Sequence, residues 1–254
     1  MGAYEKLKIT RSSGRPTSIS FVNHIFEDFF ELHGDRRFSD DAAIIGGIAK
    51  LNGKPVTVIA IEKGTDLKDK IARNFGAPNP EGYRKALRLM KQAEKFRRPV
   101  VCFIDTSGAF CGIGAEERGQ GQAIAENLME MMDLKVPIIS ILIGEGGSGG
   151  ALALGVSDEV WMMENAVYSV ISPEGCASIL WKDAKKVKEA AECLKITAQD
   201  MLKMQVIEKI FEEKPDFKDV YSDIKQNLEE KLSSLYTLPT EELLIKRYER
   251  FRKF

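Results

Sequence analysis

VVCFIDTSGAFCGIGAEERGQGQAIAENLMEMMDLKVPIISILIGEGGSGGALALGV, residues 100–156, is the stretch that decides the fold. Twice within it, a short and wholly apolar run is followed by a glycine-rich loop and then by a helical pattern. Such apolar runs are typical of strands buried on both faces of a parallel sheet. The stretch therefore predicts an α/β fold with both loops at the carboxyl ends of strands.

The sequence before this stretch adds two strands and two helices. Residues 43–64 predict a hairpin around an Asn-Gly turn at positions 52 and 53. Apolar residues at helical spacing predict a helix over 19–32, and Pro80 begins a long amphipathic helix. We expect residues 1–17 to form a flexible arm.

Helices predominate after the second glycine loop. Residues 159–165 predict another strand, and the charged, amphipathic segment 240–254 predicts a closing helix. There is no internal repeat and no linker in the sequence. We therefore expect residues 18–254 to form a single domain.

Composition excludes several classes of protein. The 37 Lys and Arg residues against 38 Asp and Glu give a net charge of −1, which argues against nucleic-acid binding through bulk charge. The four cysteines form no CxxC pair, so no zinc site is expected. A signal peptide and a bilayer-spanning apolar run are both absent, which predicts a cytoplasmic protein.

The two glycine-rich loops, residues 106–114 and 144–150, are the candidate functional site. A loop between a strand and a helix offers unpaired backbone N–H groups at the helix N-terminus, where anions or oxyanions are favoured. Glycines allow a ligand to approach the backbone closely because they carry no β-carbon. Tight strand–helix packing is the simpler explanation, but two such loops favour a functional one.

Two familiar motifs overlap the second loop, and each lacks a necessary partner. Residues 144–149 match the dinucleotide motif GxGxxG with Glu164 twenty residues on, but the crossover to the next strand is too short. Ser148 lies in a GxSxG pattern, yet the only histidines, His24 and His33, are far upstream. No Walker A loop is present. Stabilisation of an oxyanion, such as a thioester enolate, is the remaining chemistry.

Five blocks of sequence together resemble the α-subunit family of bacterial acetyl-CoA carboxylase carboxyltransferases. They are ELHGDRRFSDDAAIIGGIA (31–49), RNFGAPNPEGYRKALRLM (73–90), GAEERGQ (114–120), IGEGGSGGALALGV (143–156) and YSVISPEGCASILWK (168–182). The resemblance covers nearly the whole chain. It implies an α/β crotonase-like fold, which is a spiral of ββα units with flanking helices.

The resemblance also implies a reaction and its partners. With a zinc-carrying β subunit in an α2β2 assembly, the chain would transfer a carboxyl group from carboxybiotin to acetyl-CoA, forming malonyl-CoA for fatty acid biosynthesis. Biotin would be carried on a separate carrier protein, in a larger complex with biotin carboxylase. No metal is expected on this chain, and biotin would act as its own base, which fits the scarcity of histidine.

The same resemblance assigns roles to residues of the two loops. The backbone N–H groups expected to hold the biotin oxyanion are those of Gly146, Gly147, Gly149, Gly150 and Ala151. Gly108, Ala109 and Gly112 of the facing loop would line the same cleft.

The first loop departs from the family pattern, which commonly reads DTPGAYPG. Ser107 and Cys111 replace two prolines here, which should loosen the loop through backbone entropy. A stand-alone crotonase-fold acyl-CoA hydratase or isomerase is the alternative function, and it would need a carboxylate placed over the thioester. A non-enzymatic scaffold would have no use for two glycine cradles.

Overall fold

An eight-stranded mixed sheet forms the centre of the protein. The computed structural model describes all residues from 1 to 254. The strands are β1 (Glu27–Glu31), β2 (Ile44–Leu51), β3 (Lys54–Ile61), β4 (Val100–Thr106), β5 (Ile138–Gly147), β6 (Glu159–Met163), β7 (Val167–Ser169) and β8 (Lys209–Phe211). Their order is β1-β2-β3-β4-β5-β6-β8, and β7 pairs with β5 beside this path.

Twelve α-helices surround the sheet. They are α1 (Ala3–Thr10), α2 (Ser18–Ile25), α3 (Leu67–Ala72), α4 (Pro80–Lys95), α5 (Ile113–Glu117), α6 (Gln120–Met132), α7 (Ser148–Leu152), α8 (Pro173–Trp181), α9 (Val187–Leu194), α10 (Ala198–Lys203), α11 (Phe217–Tyr236) and α12 (Thr240–Phe251). None of them combines the length and the apolar composition that crossing a membrane requires.

The strands from β3 to β6, together with β8, pair in parallel. All seven residues of β4 and the first nine of β5 are buried. Their apolar side chains belong to one cluster of 47 buried residues, because neighbouring elements cover both faces of these strands. The prediction of buried parallel strands with glycine loops at their carboxyl ends is confirmed.

The predicted hairpin is also confirmed. Strands β2 and β3 pair antiparallel from Leu51 opposite Lys54 to Ile44 opposite Ile61. The turn residues have φ angles of 47° at position 52 and 75° at position 53. Positive φ at both central residues is what a two-residue hairpin turn requires, and Asn-Gly supplies it at little steric cost.

The predicted helix over 19–32 is wrong beyond Ile25. Helix α2 ends there, Phe26 is extended, and residues 27–31 form β1 on the free edge of β2. Glu27 pairs with Lys50, and the burial of β1 alternates along the strand. Hydrogen bonds offered by the edge of β2 therefore decide the conformation of residues whose apolar spacing also suits a helix.

The N-terminal segment differs from the flexible arm that the sequence predicts. Helix α1 buries Ala3 and Leu7 in a small apolar cluster that includes Ile196. The buried Lys6 donates from Nζ to the carbonyl oxygen of Glu164 at 2.7 Å. The polar composition concealed this contact because only a few side chains of the helix (Ala3, Leu7 and the partly buried Tyr4) make its apolar part. The assignment of residues 18–254 to a single domain stays a prediction.

The end of β5 is irregular where it approaches the second glycine loop. Ile104 of β4 pairs with Leu142, but Thr106 pairs with Gly146, so β5 contains two extra residues. Pairing of β5 with β6 ends at Leu142, and pairing with β7 resumes at Glu145. Residues 143 and 144 therefore have no partner residue in the sheet. Such bulges bend a strand and redirect the residues beyond the bend.

Candidate active site

Two backbone turns meet at the carboxyl ends of β4 and β5. One is residues 107–112, and the other is the passage from β5 into α7. A β-carbon added to Gly147 would lie 2.1 Å from the carbonyl oxygen of Ser107, and one added to Gly150 would lie 2.4 Å from the amide nitrogen of Ala109. Only glycine allows the two backbones to approach so closely.

The amide group of Ala109 has no hydrogen-bond acceptor, although its neighbours do. The N–H of Gly108 donates to Oγ1 of Thr106, and the N–H of Phe110 donates to the carbonyl oxygen of Pro78, each at 3.0 Å. Ala109 is half-buried against the second turn. Its N–H is therefore a preorganised donor that a negatively charged oxygen could use.

Two buried polar side chains hold the turns in place. Nε2 of Gln120 donates to the carbonyl oxygens of Pro78 at 2.9 Å and Phe110 at 2.8 Å. The hydroxyl group of Tyr83 donates to the carbonyl oxygen of Gly150 at 3.2 Å. Burial raises the pKa of Tyr83, so its hydroxyl stays protonated and remains a donor at neutral pH.

A buried group of charges lies directly below the turns. Nζ of Lys63, two residues after β3, lies 2.6 Å from Oδ1 of Asp105 and 3.3 Å from Oε1 of Glu145. Oδ1 of Asp105 also accepts the N–H of Glu145 at 2.8 Å. A β-carbon on Gly144 would lie 2.2 Å from this oxygen, so glycine is needed there to admit the carboxylate.

Arg11 connects the N-terminal segment to this group of charges. Its guanidinium donates to Oε2 of Glu145 at 2.9 and 3.1 Å and to Oε1 of Glu174, in the first turn of α8, at 2.7 Å. Burial alone would raise the pKa of Glu145, but Arg11 and Lys63 outweigh it and lower that pKa. Burial likewise opposes the charge of Lys63, yet the two carboxylates raise its pKa. Lys63 and Glu145 are therefore both charged at neutral pH.

The buried ion pairs of Glu145 with Arg11 and of Glu213 with Arg15 should make the stability of the protein depend on pH. Burial opposes ionisation of Glu145 and Glu213, but their arginine partners lower the pKa of each below the ordinary value of 4.5. A lowered pKa stabilises the fold above the unfolded pKa and loses that contribution as pH falls through the folded one. We expect the melting temperature to drop below about pH 5 and to drop less steeply in Glu213→Gln. Circular dichroism melts between about pH 3.5 and 7 would measure this, and parallel curves for the two proteins would contradict it.

A polar cavity of about 590 Å³ opens beside the turns. Its lining includes the N-terminal segment from 10 to 17 together with Lys63, Ser107 and Glu145. Only one of its lining residues is hydrophobic. A more apolar cavity of about 420 Å³ lies near Leu51 and Tyr236, away from both turns. The polar cavity is therefore the one that adjoins the candidate site.

The structure brings together only some of the predicted site residues. Gly108, Ala109, Gly147 and Gly150 meet where the turns touch. Ala151 follows them in α7 and is buried. Their assignment as ligands of biotin stays a prediction.

The remaining three predicted glycines have other surroundings. Gly146 lies within β5, and a β-carbon added there would meet the side chains of Leu142 at 2.3 Å and Tyr168 at 2.9 Å, not the backbone of the first turn. The space beside Gly149 is bounded only by the side chain of Ile124, 3.6 Å from an added β-carbon, and Gly112 adjoins the ring of Phe110. Contact between the backbones of the turns therefore requires neither Gly149 nor Gly112.

The geometry also bears on the two competing motifs. Helix α7 has five residues, which is far shorter than the crossover helix of a dinucleotide-binding unit. Ser148 has a φ of 50°, as in a nucleophile elbow. The histidines, however, bond elsewhere: Nδ1 of His24 lies 2.7 Å from the carbonyl oxygen of Ser20, and Nδ1 of His33 lies 3.0 Å from Asp40. No histidine therefore serves Ser148 as a base.

Sequence reasoning missed the charged residues below the turns. Asp105 lies near the end of one buried strand, and Lys63 lies just beyond the end of another. A charged residue at the end of an apolar strand was the sequence signal that could have identified them. Arg11 gave no such signal, because it lies in a segment whose composition resembles that of a mobile arm.

Comparison with known proteins places this geometry in a family. The family model described as acetyl co-enzyme A carboxylase carboxyltransferase-like matches residues 1–254. The chain belongs to this family. A relative from Ruminiclostridium cellulolyticum, named acetyl-coenzyme A carboxylase carboxyl transferase subunit alpha, is 61% identical over 100% of this chain and 98% of its own. The recognition made from the five sequence blocks is confirmed.

One further relative and one solved structure extend the comparison. A protein of Natranaerobius thermophilus named subunits beta/alpha is 62% identical, and the match covers 98% of this chain and 42% of that protein. The solved structure of transcarboxylase 12S, with methylmalonyl-coenzyme A bound, has a TM-score of 0.69 at 19% identity, covering 82% of this chain and 40% of that one. This structural likeness confirms the crotonase-like α/β fold.

Proposed function

We propose that the chain is the α subunit of an acetyl-CoA carboxylase carboxyltransferase. Together with a β subunit it would transfer the carboxyl group of carboxybiotin to acetyl-CoA, yielding malonyl-CoA and biotin. Family membership and the 61% identity with a subunit of that name support the activity. The β/α relative, in which both subunit names belong to one chain, supports a β subunit as the partner.

The unpaired N–H of Ala109, whose nitrogen lies close to Gly150, is the observation that carries this proposal. Carboxybiotin, when bound, supplies the carboxyl group that is transferred. The residues present suit it, because its ureido oxygen is a small acceptor and the Ala109 N–H is a half-buried, fixed donor beside a glycine-rich turn. Loss of one such donor costs other enzymes about 3–4 kcal/mol of transition-state stabilisation.

The charges below the turns would serve the same reaction without touching the substrate. Lys63 and Asp105 fix the end of β5, and Tyr83 and Gln120 fix the carbonyl groups around the donor. Fixed dipoles need no reorganisation when charge develops, and this is why a preorganised site is effective. Zinc on the β subunit, the α2β2 assembly, the biotin carrier and a cytoplasmic location belong to this proposal.

A reverse assay tests the proposal. The purified chain, alone and with a candidate β subunit, is given malonyl-CoA and biocytin, and acetyl-CoA formation is measured. We expect activity only in the mixture, because the chain supplies one part of a shared site. Absence of transfer in a complex verified by gel filtration would contradict the proposal.

The stand-alone hydratase or isomerase is weaker on the same geometry. That chemistry needs a carboxylate free to exchange a proton over the thioester. Asp105 and Glu145, two carboxylates that adjoin the turns, are buried and paired with Lys63, and Glu145 also binds Arg11. Hydration of an enoyl-CoA by the chain alone would favour this alternative.

A further inference from the structure

We propose that Arg15, in the N-terminal segment before α2, is a positioning residue for the second glycine turn. Its guanidinium holds the irregular end of β5 in the direction that brings Gly147 and Gly150 against the first turn. This inference rests on the proposed function, because it assigns Arg15 a part in the same carboxyl transfer.

The bulge of β5 creates the need for such a residue. Residues 143 and 144 have no partner in the sheet, so their backbone polar groups must find other partners. The N–H of Glu145 is satisfied by the carboxylate of Asp105 at 2.8 Å. The carbonyl oxygen of Ile143 is satisfied by Nη2 of Arg15 at 2.9 Å. Asp105 therefore supports one side of the bulge, and Arg15 supports the other.

Arg15 is itself firmly held. Its guanidinium forms a bidentate ion pair with Glu213, in which Nη1 donates to Oε2 at 2.6 Å and Nη2 donates to Oε1 at 2.5 Å. The side chains of Arg15 and Glu213 are only 8% and 9% exposed. Oε1 of Glu213 also accepts the N–H of Asn165, in the connection between β6 and β7. The direction of Arg15 is thus determined by the loop that leads into β7.

The geometry requires arginine at this position. A planar guanidinium can bind both carboxylate oxygens and still donate to a carbonyl group, whereas an ammonium group is a single point. Gly147, the first glycine in contact with the opposite turn, comes only four positions after Ile143. A change in the backbone direction at position 143 would therefore displace the turn. Displacements of about 1 Å strongly reduce the rate of reaction in a preorganised site.

The experiment compares Arg15→Ala with Arg250→Ala in the complex with the β subunit. Arg250 is a matched control because its side chain is also 8% exposed, binds both carboxylate oxygens of Glu208 and donates to one carbonyl group, that of Val206. It lies in α12 and makes none of these bonds to β5. We expect similar losses of melting temperature in the two variants. Only Arg15→Ala should lose kcat, by about 10- to 100-fold with KM nearly unchanged, and methylguanidinium should restore part of it.

Two further measurements keep the proposal falsifiable. If Arg15→Ala does not fold, Arg15→Lys replaces it, and we expect a loss of about tenfold in kcat because the compact ammonium group cannot reproduce the spacing of the guanidinium donors. Hydrogen exchange of the β5 amides in the isolated chain should be faster in the Arg15 variant than in the Arg250 variant.

The outcomes distinguish failure of the proposed function from failure of the positioning role of Arg15. A wild-type complex without transfer activity overturns the proposed function, and the exchange rates then decide the structural role of Arg15 alone. An active wild type with equal kcat losses in the two variants, or with an Arg15 variant within about twofold of wild type, overturns the positioning role. Equal exchange rates in the two variants also overturn it.

Discussion

Replacing Gly150 with alanine is expected to reduce carboxyl transfer by about 100-fold or more. The added methyl group would lie 2.4 Å from the nitrogen of Ala109, 2.8 Å from the carbonyl carbon of Gly108 and 2.9 Å from the hydroxyl oxygen of Tyr83. Two of these atoms are backbone atoms, so no side-chain rotation relieves the clash. The turns must separate, and the donor at Ala109 leaves the position it needs.

The matched control for this prediction is Gly121→Ala. Gly121 is exposed in α6, and an added β-carbon meets no atom within 4 Å. Alanine there should leave transfer unchanged and stabilise the helix by up to about 1 kcal/mol. Overpacking at position 150 should cost only about 1–3 kcal/mol, so the complex should still assemble. Equal kcat values for the two variants in the reverse assay would show that close contact between the turns is unimportant for transfer.

Lys63→Met is expected to have the largest effect on stability. Its ammonium group separates two carboxylates, those of Asp105 and Glu145, and both residues are less than a tenth exposed. Removing one partner of a buried ion pair typically costs about 3–5 kcal/mol, because the remaining charge is left without compensation. Here two carboxylates are left facing each other, with only Arg11 still bound to one of them. Urea unfolding of the isolated chain would measure the loss.

Lys50→Met is the control for this second prediction. Lys50 also pairs with one carboxylate, that of Asp28 at 2.8 Å, but both side chains are more than half exposed. An exposed pair contributes little to stability because solvent screens it, so this variant should be nearly as stable as wild type.

The effect of Lys63→Met should also depend on pH. Without the lysine, burial and the facing carboxylate of Asp105 oppose the charge of Glu145 more strongly and raise its pKa, so protonation as pH falls relieves part of the cost. Its stability deficit should therefore shrink below about pH 5. A deficit that stays constant with pH, or one no larger than that of Lys50→Met, would contradict the prediction.

The parts of the fold that could be predicted depend on local patterns. The apolar runs of β4 and β5, the Asn-Gly turn and the proline at the start of α4 each specify a conformation through their own residues. Strand β1 could not be predicted in this way. The apolar spacing of Phe26, Phe29 and Phe30 suits a helix, and the free edge of β2, which belongs to another part of the chain, makes them extended.

In the candidate site too, local patterns could be predicted and contacts between distant residues could not. The glycine motifs located both turns, but sequence alone could not distinguish Gly147 and Gly150 from Gly149. The distinction depends on how closely the backbone of residues 107–109 approaches each glycine. Arg11 was missed for a related reason, because its partner Glu145 lies 134 residues away. Contacts at such separations leave no periodic signal in a single sequence.

The ion pair between Arg15 and Glu213 joins residues 198 positions apart, and this has a consequence for how the chain is made. A ribosome adding about 5–20 residues per second needs about 10–40 s to pass from one to the other. During that time the strands up to β6 can pair, but Arg15 has no carboxylate to bind. The second turn therefore acquires its final geometry among the last steps of synthesis, after most of the sheet around it has formed. A growing chain would present an incomplete surface at this edge, so productive association with another subunit is favoured only after residue 213 has emerged.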